Sequence, residues 1–186
     1  MKNTHGHLPL LLIATGCAMT LGAGVAAAET VQARLAGFNE TPSVSTTGSA
    51  HFKARIDEHA GSVFWELDYE GLQADATQAH IHFGQRHTAG GITVWLCANN
   101  PPITAAPAGT QTCPLRSGSI NGTFTAANVV GPGGAQQLPA GGFDQLLQAI
   151  RAGATYANIH TTVSPAGEIR GQIHDNDDRG HDHGHR

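Results

Sequence analysis

Period-two alternation of apolar and polar residues is the feature that most narrows what this chain can fold into. Ala50, Phe52, Ala54 and Ile56 alternate with His51, Lys53 and Arg55. Side chains of an extended strand leave opposite faces in turn, so this segment offers one face to a core and one to water. Residues 57–61 supply a turn, and Val63, Trp65, Leu67 and Tyr69 then line one face of a second run with Glu66 and Asp68 on the other. The two runs read as a β-hairpin. Residues 31–38, 78–83, 92–97 and 119–124 are further strands. Phe143, Leu146, Leu147 and Ile150 instead recur at helical spacing, with Gly153 placed to end the helix. Alternation resumes over 155–161 and 168–174, joined by Ser164-Pro165-Ala166-Gly167, a closing hairpin. The expected architecture is mainly β: an antiparallel β-sandwich or flattened barrel with one short helix in a crossover.

The ends of the chain read differently. Lys2, an apolar run over 8–25 and Ala26-Ala27-Ala28 form a secretory signal peptide over 1–28, with Glu29 the first mature residue. A membrane anchor and a lipidated Cys17 are the alternatives. Pro9 and several glycines interrupt the run, and Ala14 is a poor residue ahead of a lipidated cysteine. No second apolar stretch spans a bilayer, so the mature chain is expected to be periplasmic or secreted. Residues 29–174 form the β domain. Residues 175–186 are charged and His-rich without one apolar side chain, a composition expected to stay disordered. Cleavage leaves Cys97 and Cys113, an even number in an exported chain, which predicts a disulfide. A thiolate metal site is the alternative, and the loop between the two cysteines holds no His to complete one. The net charge of -4, without a basic stripe, gives nucleic-acid binding no electrostatic footing.

Histidine is the abundant chemical group, at 12 residues. His80 and His82 are two apart on a strand, so both imidazoles leave one face while Ala79, Ile81 and Phe83 leave the other. That pair faces solvent or a second cavity. His160, in phase with Tyr156 and Asn158, is the natural third ligand if its strand lies beside the first. Three nitrogens suit copper or zinc and leave a position open. Copper-zinc superoxide dismutase uses a similar strand pair, an analogy and not a homology. The opposing reading is that these histidines bond to backbone or to Glu168 and fix the sheet. His87 reads as a surface residue with a fourth-ligand role as the alternative; His51 and His59 read as solvated. Glu168 and Arg170, in phase on the last strand, read as an exposed ion-pair network or as groups orienting a histidine. His181, His183 and His185 in the tail form a loose secondary capture site for copper, zinc or nickel.

Four stretches carry a resemblance: 35–42 (LAGFNETP), 79–84 (AHIHFG), 156–161 (YANIHT) and 167–173 (GEIRGQI). In this order they resemble the CHRD domain, named from chordin, an extracellular antagonist of bone morphogenetic proteins, and found also in exported bacterial proteins. The likeness spans about 31–174 and implies an extracytoplasmic β-sandwich. It implies little chemistry, and chordin's own role rests on other modules. No nucleophile elbow, phosphate loop or dinucleotide fingerprint occurs. The expected function is therefore an exported, non-catalytic domain binding copper or zinc, with a protein or cell-surface partner for its sheet. The alternatives are a copper enzyme of superoxide-dismutase-like chemistry and a purely structural adhesion domain.

Overall fold

The computed structural model describes residues 1–2 and 29–175. The expected signal peptide beyond Lys2 and the tail histidines therefore lie outside the described residues. Nine strands form one antiparallel sheet: β1 Glu29–Ala36, β2 Ser49–Asp57, β3 Ser62–Glu70, β4 Ala76–Phe83, β5 Gly91–Ala98, β6 Gly118–Phe124, β7 Thr155–Thr161, β8 Ile169–Gln172 and β9 His174–Asp175. Their order is β5-β4-β7-β8-β1-β2-β3-β6, with β9 continuing beside β1. The sheet curls until it nearly closes into a barrel. No helix among the described residues is long and apolar enough to cross a membrane.

Alternation builds the β2–β3 hairpin as expected. Phe52 lies opposite Leu67, Ala54 opposite Trp65 and Ile56 opposite Val63, and all six side chains are buried. The turn closes because Asp57 Oδ1 accepts from Ala60 N–H at 2.9 Å and Gly61 takes a left-handed φ of +61°, which a residue without Cβ adopts at little cost. The helix α1, Phe143–Arg151, carries the chain from β6 at one edge to β7 inside the sheet. Its buried face is Phe143, Leu146, Leu147, Ala149 and Ile150. Gly153, at φ +63°, ends it as the sequence suggests.

The gap between edge strands β5 and β6 is bridged by the segment 111–113. Gln111 O accepts from Ala98 N–H at 2.8 Å, and Gln111 Nε2 donates to Leu96 O and Asn121 O. Cys113 is bonded to Cys97 on β5, with Cα atoms 5.1 Å apart. Asn99 adds side-chain bonds to Ala76 O and to both backbone groups of Cys113. In the chain-entropy model, a covalent link closing so short a loop stabilises by about 3 kcal/mol.

Several strand ends differ by one or two residues from the sequence reading, and two of the differences shape the site. The first strand ends at Ala36 instead of 38, because Gly37–Asn39 forms a 3-10 turn. Gly37 is pressed so closely against Val44 O that a Cβ would overlap it. The turn leaves Phe38 exposed and carries Glu40 into the interior. The last strand is interrupted at Ile173, whose N–H donates to Thr155 O of β7 at 2.9 Å, in line with the β7–β8 register. Glu168 precedes β8 and is not part of it.

Candidate metal centre

Strands β4 and β7 are neighbours, and this decides where the histidines go. His80 pairs with Asn158, His82 with Tyr156 and Gln78 with His160. His160 is thus diagonal to His80 on the same face, within reach of its ring. Two irregularities in the β4–β5 register, at Ala79/His80 and Ile81/His82, fall on the His-x-His segment itself; bulges re-aim side chains in this way. The face opposite the core is not open to water. His80 is 0% exposed and His82 and His160 are 7% exposed.

The three imidazoles converge, with one ligand-capable atom from each lying within 4.8 Å of the others. Ring centroids are 5.1 Å apart for His80–His160, 5.3 Å for His80–His82 and 6.0 Å for His82–His160. Nδ1 of His82 donates to Gly90 O at 2.9 Å, and Nδ1 of His160 donates to Pro165 O at 3.0 Å. A carbonyl only accepts, so each Nδ1 carries the proton and each Nε2 keeps a lone pair. Neither Nε2 has a hydrogen-bond partner, and neither nitrogen of His80 has one. His80 instead stands edge-on to Trp95, with centroids 4.3 Å apart. Nitrogens bound at about 2.1 Å to a tetrahedral ion sit roughly 3.4 Å from one another, closer than the 4.8 Å within which the three ligand atoms lie here.

Electrostatics favours the ligating form. Burial pulls all three pKa values down: His80 well below the usual imidazole range, His82 to about 4, and His160 below its ordinary value. The neighbouring imidazoles add to the effect on His80, and Arg170 adds to it on His82 and His160. All three are therefore neutral at pH 7, as a metal ligand must be.

The site is held by backbone that only small residues permit. A Cβ on Gly90 would overlap Phe83 O, so the carbonyl that orients His82 sits where glycine alone fits. Gly90 N–H also donates to Tyr156 Oη at 3.1 Å. Tyr156 stacks on His82, with centroids 4.8 Å apart and planes 2° from parallel. The Arg170 guanidinium carbon lies 4.5 Å from the Tyr156 ring centroid. Arg170 Nε in turn donates to Glu40 at 2.6 Å, and Asn158 Nδ2 donates to the other Glu40 oxygen at 2.6 Å. Glu40 and Arg170 are both buried. Burial outweighs the attraction of Arg170 and holds the Glu40 carboxyl above its usual range.

These contacts correct the reading of the last strand. Arg170 is buried, not exposed, and its partner is Glu40 rather than any residue of its own strand. Glu168 is 0% exposed and touches no histidine through a hydrogen bond. It accepts instead from Thr46 Oγ1, Gln73 N–H and Thr161 Oγ1, tying two loops to β7. Alternation could not reveal this, because loops cover the outer face of β7 and β8. His87 lies in an exposed loop at φ +64° and is not part of the cluster. His59 is exposed and His51 half-buried. Glu40, Gly90 and Trp95 had no site role in the sequence reading; Glu40 falls inside the 35–42 motif, the one signal that pointed to it.

The sequence model of the CHRD domain matches residues 31–173. The chain belongs to the CHRD domain family. The match takes in Glu40, the three clustered histidines, Tyr156, Asn158 and Arg170, so the buried polar network lies wholly within the CHRD domain. No curated protein and no solved structure is significantly similar to the chain.

Proposed function

We propose that this CHRD domain is an exported, non-catalytic binding protein for a transition metal ion, copper or zinc, held by His80, His82 and His160. The carrying observation is the set of unpartnered imidazole nitrogens in a buried cluster. Leaving a buried polar group without a partner costs about 1–3 kcal/mol. A histidine that only braced the sheet would have its nitrogens bonded, yet His80 bonds to nothing at either one. An ion satisfies all three lone pairs at once. A nitrogen-only set favours copper or zinc over magnesium or calcium.

A dismutase-like enzyme has less support. Among the described residues one metal-capable group occurs, with no second subsite beside it. Export rests on the leader over 1–28, and the tail histidines His181, His183 and His185 provide loose capture of the same ions. The decisive experiment uses the mature chain with those three tail residues changed to Ala. Elemental analysis after copper or zinc loading is expected to give one ion per chain. His82→Ala is expected to abolish it, and His59→Ala to leave it unchanged. Absence of bound copper and zinc at micromolar concentration would overturn the reading.

A further inference from the structure

The outer edge of the Tyr156–Arg170 stack opens into a cavity that the metal reading does not use. Its volume is about 340 Å³, at the small end of ligand pockets. Three of the chain's ten Lys and Arg residues, Arg34, Arg86 and Arg170, line it together with His87 and His174. No Asp or Glu among the described residues does. In a chain of net charge -4 this is a local reversal of sign.

Two of the three arginines are not spent on internal pairs. Arg34 and Arg86 form no salt bridge among the described residues, whose ion pairs use Arg116, Arg151 and Arg170. Arg170 is 6% exposed. Its Nε donates to Glu40 and its Nη1 to Thr88 O, while Nη2 has no partner among the described residues. A buried guanidinium, held in place by two bonds and by the Tyr156 ring, thus keeps its Nη2 N–H groups for an occupant of the cavity. Guanidinium groups match carboxylate and phosphate oxygens in a bidentate fork, and a partly enclosed site strengthens the attraction.

We propose that this cavity is a binding site for a small oxyanion, a di- or tricarboxylate or a phosphate, clamped between Arg34 and Arg86 at the rim and Arg170 at the base. The site shares Tyr156 and Arg170 with the surroundings of the metal centre but none of its three histidines, and it is tested in metal-free protein, so its failure and that of the metal reading are separable. Citrate and inorganic phosphate are the probes, titrated by calorimetry against the mature chain. A parallel titration uses the chain with Asp177, Asp178 and Asp182 changed to Asn, so that the acidic tail following His174 cannot mask the cavity. Saturable binding of one anion per chain is expected, weakening at least tenfold in Arg34→Gln/Arg86→Gln and unchanged in Arg55→Gln. Citrate binding tighter than phosphate assigns a polycarboxylate; the reverse order assigns a phosphate. Failure of both anions to bind either chain below 10 mM (an estimate of about 3 kcal/mol), or equal binding by the double variant, would overturn the proposal.

Discussion

Strands β3 and β7 belong to one sheet and were built by opposite rules. In β3 the buried and exposed residues alternate without exception after Ser62: Val63, Trp65, Leu67 and Tyr69 face inward, and the residues between them face water. In β7 all seven residues are buried. Ala157 and Ile159 enter the apolar core, while Tyr156, Asn158 and His160 enter a second interior roofed by the turn around Glu40, the loop through Gly90 and the Pro165 turn. One side of the molecule is a half-wet sheet over a hydrocarbon core. The other is a sheet buried on both faces, with charge and imidazole on the second. Burial of polar groups is expensive without partners, which is why the Glu40, Asn158 and Arg170 side chains of this second interior bond to one another.

The largest test of this contrast is charge removal. Glu40→Ala strands Arg170 in the interior and is expected to cost about 3–5 kcal/mol in urea unfolding. Glu66→Ala, on the wet face of β3, is expected to stay within about 0.5 kcal/mol. Equal effects would mean the second interior is no drier than the surface. Next comes the seam: Cys113→Ser is expected to lower stability by about 2–4 kcal/mol under oxidising conditions and by little under reducing ones.

A smaller effect follows from pH. The three clustered histidines have folded pKa values below that of a free imidazole. The unfolded chain then binds more protons, so stability of the metal-free protein falls as pH drops from about 6.5 toward 4. Glu40, with its carboxyl raised, acts in the opposite sense. Comparing the parent with His80→Leu isolates the histidines: the variant should lose less on acidification. The smallest expected change is that same His80→Leu at pH 7.5 without metal. Removing two unpartnered nitrogens should leave stability within about 1 kcal/mol of the parent or above it. A large loss would show that His80 braces the sheet.

The two sides differ in how much of them the sequence discloses. The β2–β3 hairpin, α1 and its stop at Gly153 were legible, because one-sided burial writes its period into the residue order. The convergence of His80, His82 and His160 was half legible. The period-two pair and the phase of His160 were visible, whereas the adjacency of β4 and β7 is a long-range pairing that periodicity does not encode. The ion pair of Arg170 was misread as exposed because a strand covered by loops carries the same alternation as one facing water. Glu40 was hidden further, since its place depends on the 3-10 turn at Gly37 that bends the chain inward.

We propose that the second interior is built around an ion. X-ray absorption at the metal edge, on the mature chain lacking the three tail histidines and loaded with one equivalent of copper or zinc, tests it most directly. A first shell containing three imidazole nitrogens at about 2.0–2.1 Å is expected, reduced in His82→Ala. A shell of water oxygens alone, unchanged by that substitution, would contradict it.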